Sequence, residues 1–338
     1  MWLIFLIPSL IISAQAMPPA ESGPRYESEA RITWEKAHQR KAQGLLKESC
    51  WLFRRITGRY PAFQYFEKAH FELGICESQR GNYQKAIAPL RFFIESREFS
   101  RSGLEARIPL GEAFLAINQY HEGLMVAEEM LLNGEKKTTL LDAPLRVEAL
   151  LLKTQALLKL DRMDRAKITL NETLTLLKKL DSEKVNRSSI QSKSNHLQVL
   201  LKLHQCDDFP TQTRLSEEAT RDQLRLRGQC QLDALIQAKR AQLPSQDSWF
   251  QRSIHALVKS FEEYQSHCLR PPLPKGNLSR IQKKRYREEL VHVLKQDCAQ
   301  MIQKAHQLID GWPSSNPALF PSIKMLDQSL MKVAKTLE

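Results

Sequence analysis

Acid, base, nucleophile and metal chemistry in this chain of 338 residues would have to come from nine histidines, six cysteines and 38 carboxylates. Such chemistry needs those groups at set spacings. Two histidines one helical turn apart with an adjacent glutamate would hold zinc and a general base, and no HExxH occurs. There is no glycine-rich phosphate loop of the Walker or GxGxxG kind, and no GxSxG nucleophile elbow. Two looser groupings remain: Glu262 and Glu263 near His267, and Cys298 near His306. Adjacent carboxylates point to different sides of a helix, so the first makes no acid/base pair. The sequence therefore predicts no catalytic residue, no cofactor and no metal site. Asn171, Asn186 and Asn277 open glycosylation sequons, which matter only in a eukaryotic secretory route.

The cysteines bear on compartment. Cys50, Cys76, Cys206, Cys230, Cys268 and Cys298 are an even set, as expected of disulfides in an exported protein. None of their spacings fits a zinc or CxxC redox motif. Short loops close most easily, which favours pairing in order along the chain. Helix geometry argues the other way for Cys206 and Cys268. If each ends a helix that simply turns back, its sequential partner lies well over a turn beyond reach. The pairing stays open. At the N-terminus, Trp2 to Ile12 is an apolar run too short to span a bilayer comfortably. Ala14-Gln15-Ala16 behind it fits signal-peptidase cleavage, although no Lys or Arg precedes the run. This predicts a signal peptide over 1–16, a loose Pro- and Ser-rich arm over 17–26 and no membrane span after cleavage.

The rest of the chain must position whatever is functional, and it reads as helical throughout. Hydrophobic residues make up 42% and there are only 12 glycines, so an all-helical core is favoured. Net charge is +12, which suits an acidic protein, nucleic acid or anionic lipid. The charge is spread along the chain as a solvated surface. Lys283, Lys284, Arg285 and Arg287 form the one tight linear cluster, with only Tyr286 interleaved, which argues against nucleic acid.

The stretch Glu67 to Ile94 predicts two short antiparallel helices around a turn at Arg80-Gly81-Asn82. Gly74 in mid-helix costs about 1 kcal/mol against alanine, so it needs a partner helix lying very close, at Ala86. Leu73-Gly74, Gly81-Asn82-Tyr83 and Ala86 together resemble the tetratricopeptide repeat, with His70 where that family has Trp. Equivalent turns fall at equal intervals at Gly44 and Asn118, and a fourth slightly later at Asp161-Arg162-Met163. Pro89 and Pro109 fall inside helical segments. The expected fold is all-α: a TPR-like α-superhelix of about four helical hairpins over 27–180, followed by further long helices. A polar linker over 181–195 separates a C-terminal helical region, 196–338, with helices near 196–206, 214–241, 247–268, 279–308 and 318–337. Inside the third hairpin, Glu122-Gly123-Leu124-Met125 is similar to the Gly-Leu-Met segment of lytic transglycosylases. It lacks their next Gln, having Val126, and their upstream Glu-Ser.

The TPR resemblance implies that the first helix of each hairpin lines a concave groove. Alignment places Arg31, Trp34, His38 and Lys41 on that face in the first hairpin. The second contributes Lys68, Phe71, Ile75 and Gln79, the third Ile108, Glu112 and Leu115, and the fourth Leu151, Gln155 and Leu158. A face mixing apolar and basic residues suits a peptide or helix from another protein, acidic or amphipathic. The reading is a non-catalytic protein–protein scaffold of the cell envelope, exported and periplasmic. The alternative is an envelope or cell-wall enzyme whose site lies in the C-terminal helices.

Overall fold

The computed structural model describes residues 24–98, 100–136, 141–179, 187–207, 217–240, 248–271, 279–310, 312 and 320–337. The expected signal peptide and most of the expected arm lie outside the described residues. The described residues form α-helices and no strands. They divide into two compact units, one ending at Asn118 and one beginning at Gln119.

The first unit holds α1 (Pro24–Ala42), α2 (Leu46–Arg59), α3 (Phe66–Gln79), α4 (Tyr83–Ser96) and α5 (Arg101–Ala116). Each helix packs on the next, and α3 also touches α5. The turns follow from backbone chemistry. Gly44 and Gly81 take φ of 75° and 76°, the left-handed conformation that ends a helix. Around Gly44, the Leu45 N–H bonds the Arg40 carbonyl at 2.9 Å and the Gly44 N–H bonds Lys41 at 3.0 Å. Around Gly81, the Asn82 N–H reaches Glu77 and the Gly81 N–H reaches Ser78, both at 2.9 Å. These are the paired bonds of a Schellman cap. Asn118 (φ 63°) and, in the second unit, Asp161 (φ 56°) take the same conformation at the other two expected turns. These four are all the positive-φ residues described, and they fall at the four turn positions the repeat pattern predicts.

Gly74 has the packing reason the sequence demanded. A Cβ there would stand 2.5 Å from Leu90 Cγ and 3.3 Å from the Ala86 carbonyl oxygen. Ala86 and Leu90 are fully buried. The α2–α3–α4 corner is locked by Glu77, whose side chain is fully buried. It accepts from Asn82 Nδ2 (2.9 Å), from Arg80 (3.3 Å) and from Arg54. A buried carboxylate is tolerated when its oxygens are bonded in this way. Phe53, Ile56, Phe63 and Leu73 fill the space between α1, α2 and α3, each such burial contributing about 1.5–3 kcal/mol.

The second unit holds α6 (Tyr120–Lys136), α7 (Ala143–Lys159), α8 (Met163–Lys179), α9 (Arg187–Asp207), α10 (Glu217–Arg240), α11 (Ser248–Leu269), α12 (Arg280–Asp310) and α13 (Phe320–Leu337). Asp142 caps α7 by accepting from the Leu145 N–H, with Pro144 in the first turn. The polar stretch expected as a linker is helical from Arg187, and α9 packs on α7, α8 and α10. Stacking thus continues past the last recognisable repeat. Beyond it, α10 to α13 close a bundle around Leu235, Ile254, Phe261, Tyr264, Leu294 and Leu330.

The disulfides pair in order: Cys50–Cys76, Cys206–Cys230 and Cys268–Cys298, across 26, 24 and 30 residues. The geometric objection fails because the helices do not meet end to end. Cys206 at the end of α9 meets the middle of α10, and Cys268 at the end of α11 meets the middle of α12. Each bridge ties two neighbouring helices of one unit.

Candidate partner-binding face

Helices α1 and α3 of the first unit bring several expected groove residues together. On α1, Trp34, His38 and Lys41 follow one another at one-turn spacing. Trp34 is half-buried, its ring edge-on to Phe53 (5.6 Å) and Phe63 (6.3 Å). His38 lies 4.4 Å from Trp34 and 5.2 Å from Phe53. Lys41 donates to Glu72 of α3 at 2.7 Å. His38 feels Glu72, Lys41 and Lys68. Its burial and the two lysines outweigh the carboxylate and hold it below the usual histidine range. The ring is therefore neutral at pH 7, set between an aromatic wall and a lysine–glutamate pair.

Phe71, next to Glu72 in the α3 sequence, is half-buried and packs against Phe93 at 5.1 Å. Ile75 is also half-buried, while Arg31, Lys68 and Gln79 are exposed. On α5, Glu112 is half-buried, but Ile108 and Leu115 are 9% and 6% accessible. In the second unit, Leu151 is fully buried, Leu158 is 5% accessible and Gln155 is half-buried. Ile108, Leu115, Leu151 and Leu158 are packing residues in this conformation and offer a partner almost no surface. The accessible part of the predicted groove narrows to α1 and α3 with Glu112 in the first unit, and to Gln155 in the second.

Two contributors escaped the sequence reading. Tyr65, in the connection before α3, lies 5.4 Å from Trp34 at a 30° tilt and stays 40% exposed. The clustered aromatics of Tyr60 to Phe66 are its signal, visible once that connection is seen to fold back on α1. Glu72 was the other, an unremarked acidic residue one helical turn from Lys68.

The looser chemical groupings take other roles. Cys298 is bridged to Cys268 and forms no thiol pair with His306. The Nδ1 of His267 bonds the Glu263 backbone carbonyl at 2.7 Å, and Glu262 is exposed. In Glu122 to Met125, Gly123 and Leu124 are buried in α6 while Glu122 and Met125 face outward. Among the described residues one trio could ligate a metal: His306, Asp310 and Asp327, with candidate atoms within 4.8 Å of one another. The imidazole nitrogens face one carboxylate each, Nδ1 to Asp310 and Nε2 to Asp327, both at 3.1 Å. That arrangement holds α12 to α13 and turns both nitrogens to carboxylates rather than to a common centre.

No protein-family model and no curated protein matches this chain. Among solved structures, it is similar to a tetratricopeptide repeat protein from Parabacteroides merdae ATCC 43184. The two share 12% identity over 91% of this chain and 99% of that one, with a TM-score of 0.41.

Proposed function

We propose that this chain is a non-catalytic protein-interaction scaffold that holds a peptide or helix of a partner on the α1–α3 face. The observation that carries the reading is the cluster of Trp34, His38 and Tyr65 beside the Lys41–Glu72 pair, with the exposed Lys68 and the half-buried Phe71 on the same helix as Glu72. Half-buried aromatics within a charged rim are the usual make-up of an interaction surface. The partner is acidic or amphipathic, and Lys68 sets its rate of approach.

Export to the bacterial envelope is part of the same proposal. Three disulfides suit an oxidising compartment. No helix among the described residues is long and apolar enough to cross a membrane. The test is a pulldown from an envelope extract with the full chain and its Phe71→Ala and Trp34→Ala variants. Specific proteins retained by the native chain and lost from both variants support the reading. Equal retention by all three refutes it.

A further inference from the structure

A second site lies in the first unit, apart from the α1–α3 face. Lys36 and Arg40 of α1, Lys47 and Arg54 of α2, Arg80 after α3 and Lys85 of α4 surround a pocket of about 630 Å³. None of the fourteen expected groove residues lines it. The α1 pair lies two residues from Trp34 and His38, about 200° round the helix at 3.6 residues per turn. Lys41 turns to Glu72 of α3 and Arg40 to Glu48 of α2, so one helix serves two faces.

The charges here are unbalanced. Glu48 pairs with Arg40 at 3.2 Å, and the buried Glu77 pairs with Arg54 and Arg80. Lys36, Lys47 and Lys85 form no ion pair among the described residues. Six cations against two carboxylates leave an excess of four positive charges around one concavity. Like charges held this close oppose folding unless an anion joins them, and low-dielectric walls focus their field into the pocket. Within the lining stands Trp51, 56% exposed, with the Arg55 guanidinium 5.9 Å from its ring. A large indole left in water beside guanidinium groups has the composition of a binding hot spot.

We propose that this pocket binds an acidic peptide segment of a partner protein, its carboxylates on Lys36, Lys47 and Lys85 and an apolar side chain on Trp51. The volume falls within the range of ligand pockets and excludes a folded domain. The unpaired donors are lysines, point charges that accept carboxylates at varied positions. The arginine forks that would clamp one phosphate are already engaged by glutamates. A single-stranded nucleic acid would need a row of stacking rings, and the lining holds one. The site is independent of the α1–α3 face and would stand if that face bound nothing.

The test is fluorescence anisotropy with the full chain and a short dye-labelled peptide of glutamates around a central phenylalanine. An all-glutamate peptide and a sulfated heparin oligosaccharide run alongside. Saturable binding of the first peptide is expected, stronger than for the all-glutamate one and weakening with salt. The Lys36→Gln, Lys47→Gln, Lys85→Gln triple variant should bind roughly tenfold more weakly, as three partly exposed charge contacts are lost. Trp51→Ala should erase the advantage of the phenylalanine. Circular dichroism confirms that these variants fold. Absence of saturable peptide binding, equal affinity in the triple variant, or heparin binding that the peptide cannot displace would overturn the proposal.

Discussion

At the scale of the residue, two glycines near helix ends or middles should respond in opposite directions. Gly74 has no room for a Cβ, because Leu90 and the Ala86 carbonyl occupy that space and Leu90 cannot retreat from a filled core. Gly74→Leu should cost roughly 1–3 kcal/mol or more through overpacking. Gly58 of α2 has nothing within 4 Å of its missing Cβ. There Gly58→Ala should gain up to about 1 kcal/mol of helix propensity. Thermal melts of the two variants check both signs, and an unchanged Gly74→Leu melt would contradict the close α3–α4 packing. His196 gives a second test. Its ring is buried, with Nδ1 2.9 Å from the Ser253 hydroxyl, and Arg252, Lys159 and Lys193 add positive field. Burial first, then those cations, lower its pKa from 6.5 to about 4. The unfolded chain takes up the proton at higher pH than the folded one. Stability is therefore undiminished above pH 6.5 and falls as the pH drops toward 4, by up to about 3 kcal/mol. Melts across that window should show the decline, and His196→Gln should make it shallower.

At the scale of the element, the bridges between helices matter most. Cys50–Cys76 joins α2 to α3 across 26 residues. Closing a loop of that length stabilises by about 3–4 kcal/mol if the gain lies in the unfolded chain. Cys50→Ser with Cys76→Ser should lower the denaturant midpoint of the first unit accordingly, and an unmoved midpoint would show the bridge to be dispensable. Much of this level could be read from the sequence. The repeat spacing marked the turns at Gly44, Gly81, Asn118 and Asp161, and these are residue types that the left-handed conformation found there favours. Gly74 with Ala86 marked the close helix crossing on steric grounds. Disulfide pairing could not be read, since it depends on whether α9 and α10 meet end to end or end to middle. The continuation of stacking into α9 was hidden by composition: Arg187 to Asn195 looks like a linker, yet Ser192, Lys193 and Ser194 are buried in a helix.

At the scale of the molecule, two surfaces of the first unit differ in how visible they were. The α1–α3 face followed from the TPR resemblance, which implies that the first helix of each hairpin lines a groove. Alignment alone could not separate Phe71, half-exposed, from Leu151 and Leu158, which the neighbouring helices cover. The basic pocket was not visible at all. Its cations come from α1, α2, the turn at Arg80 and α4, and no short window of sequence holds more than a pair of them. Export is checked at this scale by N-terminal sequencing of protein from the envelope fraction. Met17 is the expected first residue, and an intact Met1 in the cytosol would contradict it. Lys68→Glu should slow association with an acidic partner, and less so at high salt.

The central claim is that the α1–α3 face binds a partner, and the affinity of Phe71→Ala for the retained partner, per folded molecule, tests it most directly. Phe71 is half-buried against Phe93, so truncation removes contact surface while leaving the fully buried core of α3 in place. The account predicts binding weaker by about 1–3 kcal/mol with a circular dichroism melt close to that of the native chain. A lowered melting temperature with unchanged affinity per folded molecule would contradict it and make Phe71 a packing residue alone.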